Sequence, residues 1–217
     1  MEDTEIKELL QIYFERRDFF LELTLEHLKI AGMSILIATI IGGILGIIIS
    51  EYRKTSTVIL TVTNFLYTIP SISLLGFLIP FSGIGNTTAV IALTIYALLP
   101  MIRNTYTGID NIDSSIIECA KGMGSTPFEI LYKIKLPLAT TVILAGFKNM
   151  VVMTIALTGI ASFIGAGGLG VAIYRGITTN NTTMTIGGSL LIALLAVIAD
   201  FIIGRIEKII KRKWRLN

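Results

Sequence analysis

The chain has 217 residues, 53% hydrophobic and 15% charged, against roughly 25% charge in a soluble domain, which excludes an ordinary soluble globular protein. One cysteine excludes a disulfide framework and a cysteine-based metal site, one histidine argues against a histidine cluster, and a net charge of +3 gives nucleic-acid binding no support. Long apolar runs without period-two alternation satisfy their backbone in lipid only as helices, so the composition predicts an all-α, polytopic membrane protein.

The first 29 residues carry eight acids against four bases and have no basic start, so no cleavable signal peptide is expected. Ile6, Leu9, Leu10, Tyr13 and Phe14, then Phe20 and Leu21, fall near one helical face, which predicts an amphipathic, interfacial segment leading into the first span. His27 stands alone beside that span and reads as an interfacial residue. Residues 30–50 hold 21 positions without a charge, about the 20 that a bilayer core needs. Residues 55–102 hold 48 such positions and must contain two spans. Pro80-Phe81-Ser82-Gly83-Ile84-Gly85-Asn86 is rich in turn formers and divides them, giving spans over 57–79 and 87–102, the latter shortened or kinked at Pro100. A fourth span is predicted over 136–158 and a fifth over 184–203.

Lysine and arginine counts give the direction, because short cytoplasmic loops carry the excess. With the N-terminus outside, the inner side holds twelve: Arg53, Lys54, Arg103, Lys121, Lys133, Lys135, Arg205, Lys208, Lys211, Arg212, Lys213 and Arg215. The outer side holds five: Lys7, Arg16, Arg17, Lys29 and Arg175. Residues 1–29 are therefore expected to be extracytoplasmic and 30–204 to form the membrane domain. Its loop at 103–135 and the basic tail at 205–217 are expected to be cytoplasmic, the tail drawn to anionic inner-leaflet lipids.

Within the loop, Ile109, Ile112, Ile116 and Ala120 fall on one helical side, and Gly122 and Gly124 interrupt. Ser125-Thr126-Pro127 has the form of a helix start, with Thr126 as N-cap, Pro127 at the first position and Glu129 in the first turn. Phe128, Leu131, Tyr132, Ile134 and Leu136 give a second helix an apolar stripe. The loop reads as helix, glycine turn and helix, returning to the membrane at Pro137.

Glu118-Cys119-Ala120-Lys121-Gly122-Met123-Gly124, followed ten residues later by Ile134-Lys135-Leu136-Pro137, resembles the EAA loop of ABC importer permeases. That pattern is Glu-Ala-Ala, a glycine four residues after the second alanine, then Ile-x-Leu-Pro. Glu118, Ala120, Gly124, Ile134, Leu136 and Pro137 stand in register, and Cys119 replaces the first alanine. The resemblance implies a type I importer permease of about five transmembrane helices, whose loop is the coupling helix that docks on an ATPase. Glu118 would make a charged contact there, and Gly124, with Gly122 beside it, the turn. Ile69-Pro70-Ser71, the Ile79-Pro80 turn, Tyr96-Ala97-Leu98-Leu99-Pro100 and Arg103-Asn104-Thr105-Tyr106-Thr107-Gly108-Ile109 resemble the glycine betaine, carnitine and choline permeases. Ile164-Gly165-Ala166-Gly167-Gly168-Leu169-Gly170 is shared with methionine-type importers and marks the wider group.

No glycine is followed by lysine, so the P-loop pattern is absent. The resemblance therefore implies a transport subunit and not an enzyme, without a cofactor of its own, ATP and magnesium being held by a partner ATPase dimer. It further implies an extracytoplasmic substrate-binding protein and a second permease chain, identical or paralogous. Alternatives are a permease for methionine or another small amino acid, and a stand-alone secondary carrier, which would not need the loop.

Interrupted helices line paths in membranes, because irregular backbone is tolerated only where protein or water covers it. Pro70, Ser71 and Ser73 are thus candidates for the path, and Gly165, Gly167 and Gly168 for an outer gate, close helix packing being the other use of such glycines. Lys148 lies 12 residues beyond Leu136, roughly 18 Å at 1.5 Å per residue. It reads either as a path-lining cation near a solute carboxylate or as half of a structural pair, for example with an acid of the other permease chain. Asp200 is expected to pair with Arg205 and the basic tail. A quaternary ammonium group favours an aromatic cage, but Trp214 lies in the tail and Tyr67, Tyr96 and Tyr174 are scattered along the chain. Substrate choice is therefore expected to sit mainly in the binding protein.

Overall fold

The computed structural model describes residues 3–214, and among them the chain is helical with no strand. Arg215, counted above with the tail, lies outside the described residues. Helices α2 (Arg17–Glu51), α5 (Asn86–Asp110), α8 (Leu136–Thr158) and α10 (Thr182–Trp214) form the bundle. Each is long and apolar enough to cross a bilayer, and the pair α3 (Arg53–Thr68) and α4 (Ser71–Ser82), bent by 99° at the break between them, is either a fifth, broken crossing or a re-entrant loop. Short helices α1 (Asp3–Glu15), α6 (Ser114–Gly122), α7 (Pro127–Ile130) and α9 (Gly170–Thr178) lie before or between them.

The most buried of the crossings is α5, with α2 on one side and α8 on the other. Glycines set these distances. A Cβ at Gly46 of α2 would stand 2.5 Å from the Thr105 Cβ, and one at Gly146 of α8 would stand 2.3 Å from the Asn104 Cβ. Without a hydrophobic drive between helices in lipid, such close backbone approach is the main source of attraction. Outward-facing Leu36, Ile40 and Ile44 of α2 and Leu194, Val197 and Ile202 of α10 are exposed, an apolar girdle that suits a bilayer or a second apolar chain.

The expected span over 57–79 is two helices. Pro70 pushes the residue before it out of helical geometry, and Ile69 is extended (φ −67°, ψ 127°), so α3 ends at Thr68 and α4 restarts at Ser71. Pro100 has the opposite outcome: α5 passes through it to Asp110, eight residues beyond the expected end at 102. The fourth span has the expected bounds, Leu136–Thr158. No break precedes it, however. A π turn over Leu131–Lys135 joins α7 to α8, and this wider turn accommodates Pro137, which has no N–H to donate and crowds the carbonyl four residues back. The boundary expected at residue 30 falls inside the continuous α2. Helix α1 also packs more closely than an interfacial anchor would: Tyr13 donates to the Gly187 carbonyl at 2.7 Å, while Phe14 stays exposed. His27 is fully buried among the helices, its Nε2–H donating to the Ile155 carbonyl at 3.0 Å.

Candidate functional site

One end of the bundle carries the loop that contains Glu118. Asp113 starts α6 by accepting from the Ser115 amide at 2.9 Å, which holds its carboxyl below the usual aspartate range. After α6 the Ser125 amide returns to the Ala120 carbonyl at 3.1 Å and the Gly124 amide to Lys121 at 2.9 Å. This is the double closure of a Schellman motif. It places Gly124 at φ +83°, where a Cβ would be strained. Thr126 and Glu129 then form a complete capping box. The Thr126 amide, with help from Lys133 at 2.9 Å, holds the exposed Glu129 carboxyl down at about 2.

The same residues decide what the loop shows to the outside. Ala120 and Ile130 are buried, while Glu118, Cys119 and Gly122 are exposed. Met123 is exposed, and Phe128 and Tyr132, stacked 6.4 Å apart, face away from the bundle. The apolar stripe of the second helix is divided: Ile134 and Leu136, with Pro137 beside them, are half-buried and Phe128 and Tyr132 are open. Lys135 pairs with Glu51 at 2.5 Å and ties the loop to the end of α2.

At the opposite end, the glycine segment after α8 is fixed by two side chains. Glu26 Oε1 accepts from Asn86 Nδ2 at 3.0 Å and Glu26 Oε2 from the Gly168 amide at 3.1 Å, while Asn86 Oδ1 accepts from the Gly167 amide at 2.8 Å. A Cβ at Gly167 would fall 1.8 Å from the Glu26 carboxyl carbon. Gly165 and Gly168 have φ +70° and +89°, so both glycines turn the chain where other residues are strained. Sequence reasoning missed Glu26 and Asn86. Their only signal was a carboxylate next to a histidine at the edge of an apolar run, and an asparagine in a turn.

The break at Pro70 lies beside α5. The Tyr96 hydroxyl donates to the Ile69 carbonyl, and Tyr67 meets Tyr96 edge-on with ring centroids 5.9 Å apart. These two tyrosines, scattered in sequence, are neighbours in space. Ser71 is half-buried, and Pro70 and Ser73 are exposed. A shared cluster of Leu74, Leu75, Tyr96 and Ile164 joins the break to the glycine segment, so two of the three groups of predicted path residues meet. Lys148 stands apart with Asp200 of α10 at 2.9 Å. Asp200 thus pairs with Lys148 in place of Arg205, which lies over the Phe201 ring at 4.7 Å. Among the described residues no cluster of His, Cys, Asp or Glu could hold a metal ion.

A family model described as binding-protein-dependent transport system inner membrane component matches residues 38–216. This chain belongs to that family. A glycine betaine/carnitine/choline transport system permease protein of Bacillus subtilis (strain 168) is 40% identical over 204 residues, covering 94% of this permease and 89% of the relative. A carnitine transport permease protein of Listeria monocytogenes serotype 1/2a (strain 10403S) is 35% identical, covering 94% and 92%. Among solved structures, an inward-facing MetNI methionine ABC transporter matches with TM-score 0.81 at 24% identity, covering 88% of this chain and 95% of that one, a likeness of fold. The permease is a membrane transport subunit with the fold of type I ABC importer permeases.

Proposed function

We propose that this permease forms the translocation path of an ATP-driven importer for quaternary ammonium compatible solutes such as glycine betaine, carnitine or choline. The solute class rests on the similarity to permeases whose names carry those solutes. The coupling rests on one observation: a self-capped helical loop that presents Glu118, Met123, Phe128 and Tyr132 to the outside. Exposed aromatic and methionine side chains beside a carboxylate make a surface suited to another protein.

In this reading the loop and the C-terminal helix end are cytoplasmic and the N-terminus is outside, the orientation that the lysine and arginine counts favour. A separate ATPase dimer binds ATP and magnesium and docks on the loop through Glu118. An extracytoplasmic binding protein delivers solute to the end where Glu26 fixes the glycine segment, and Gly165, Gly167 and Gly168 form the gate. A second permease chain completes the path past Pro70, Ser71 and Ser73. Lys148 is held by Asp200 as half of a structural pair. Closure of the ATPase dimer would move the loop and α5 together, since α6 follows α5 after three residues.

Uptake tests this reading. In a strain without other betaine systems, labelled betaine, carnitine and choline should enter under osmotic stress only when the permease is present, and methionine should not. Unchanged uptake after deletion of the permease, or methionine as the better solute, would contradict it.

A further inference from the structure

The bend between α3 and α4 brings together chemistry that suits the group shared by the three solutes. Tyr67 sits in the last turn of α3 and Tyr96 midway along α5, with ring planes 68° apart. Both hydroxyls are engaged: Tyr96 donates to the Ile69 carbonyl, and Tyr67 to the Met153 Sδ at 3.2 Å. Both rings are therefore pinned in place. Tyr96 is 6% exposed and acts as the backing, whereas Tyr67 keeps 41% of its surface open. With its hydroxyl committed, what Tyr67 offers to a visitor is its ring.

Two further features favour a cation there. Helix α3 ends at Thr68, so its last carbonyls give that end partial negative charge. The ring also has no resident cation: the cation–π contacts among the described residues are Arg175 over Phe19 and Arg205 over Phe201. The site adjoins the interrupted backbone at Ile69 and Pro70, and such backbone stays in a membrane only against protein or a water-filled cavity.

We propose that the open face of Tyr67, held by Tyr96 and Met153, is a cation–π station for the trimethylammonium group of a solute passing through the permease. The station rests on the solute class given above and deepens it. One ring face with helix-end carbonyls binds weakly, as a path requires, since a solute must leave as readily as it enters.

The test uses the complete transporter, with ATPase and binding protein, in vesicles with labelled glycine betaine. Solute moved and ATP hydrolysed are measured together. Tyr67→Phe keeps the ring and should stay within about twofold of the unaltered transporter. Tyr67→Leu removes the ring and should move about two- to thirtyfold less solute per ATP, with unchanged stimulation of hydrolysis by the loaded binding protein. Replacing Tyr67 by progressively fluorinated phenylalanines, which keep shape while draining the negative face, should lower transport per ATP step by step. Equal transport by Tyr67→Leu, an equal fall in Tyr67→Phe, or a flat fluorination series would overturn the station while leaving the solute class standing. Absence of uptake of betaine, carnitine and choline by the unaltered transporter would overturn the solute class and the station with it.

Discussion

The two ends of the bundle hold their turns in opposite ways. The glycine segment after α8 is fixed from outside itself, by Glu26 of α2 and Asn86 of α5. The 113–129 loop is fixed largely from within, by the Asp113 cap, the closure at Gly124 and the Thr126–Glu129 box. Just beyond it, Lys135 pairs with Glu51 and ties the following turn to the end of α2. A segment held by two crossings changes shape only when those crossings move, which is what a gate requires. A self-capped knob keeps its shape while a partner pushes it, which is what a lever requires.

The contrast can be broken from the glycine side first. A Cβ at Gly170 would stand 2.0 Å from the Gly159 carbonyl oxygen, and backbone cannot step aside as a side-chain tip can. Gly170→Val should cost about 3 kcal/mol or more and remove most folded protein, read as a collapse of monodisperse yield in detergent. Normal yield would mean that the segment is looser than its packing implies. Next comes Glu26→Ala, which leaves the Gly168 amide and Asn86 without their acceptor. Hydrogen bonds to charged groups contribute about 1.5–3 kcal/mol, so hydrogen exchange at residues 165–170 should speed markedly while residues 114–130 stay as they were. Faster exchange at both ends would show the two to be one unit.

The loop should respond more weakly and alone. Thr126→Ala removes a cap of about 1 kcal/mol, and exchange should rise over 128–130 with no change at Gly167 or Gly168. The smallest effect is that of pH. Asp113 has a folded pKa below its unfolded value, so its contribution is present above about pH 4 and is lost as pH falls through the lower folded value. The start of α6 should therefore exchange alike from pH 8 to pH 5 once intrinsic rates are removed, and loosen only in stronger acid. Loosening between pH 7 and pH 5 would contradict the cap.

The loop was legible in sequence because its signals are local: Gly124, Thr126, Pro127 and Glu129 act on neighbours within five residues, whereas the Asp113 cap emerged only from the structure. The bounds of α8 were legible for the same reason, set by Pro137 at its start and Gly159 just past its end. The interruption at Pro70 was legible from a proline among small polar residues, but its 99° bend was not, since one proline can either break a helix or be absorbed, as Pro100 is. The fastening of the glycine segment was hidden more deeply. Glu26 meets Asn86 across 60 positions and Gly168 across 142, and no periodicity reports such a pair. His27 misled because a lone histidine near a span edge suits an interface, and only packing reveals the Ile155 carbonyl beneath it.

The central claim is that the loop is the docking surface for a separate ATPase, and co-purification with a single charge placed on its open face tests it most directly. The unaltered permease should leave detergent with an ATPase in fixed ratio. Phe128→Asp, whose side chain is 74% exposed and adds little strain to the fold, should elute as a folded chain that has lost the ATPase, with transport down more than about tenfold. Retention of the ATPase by Phe128→Asp, or an unaltered permease that transports solute with no ATPase bound, would contradict the account.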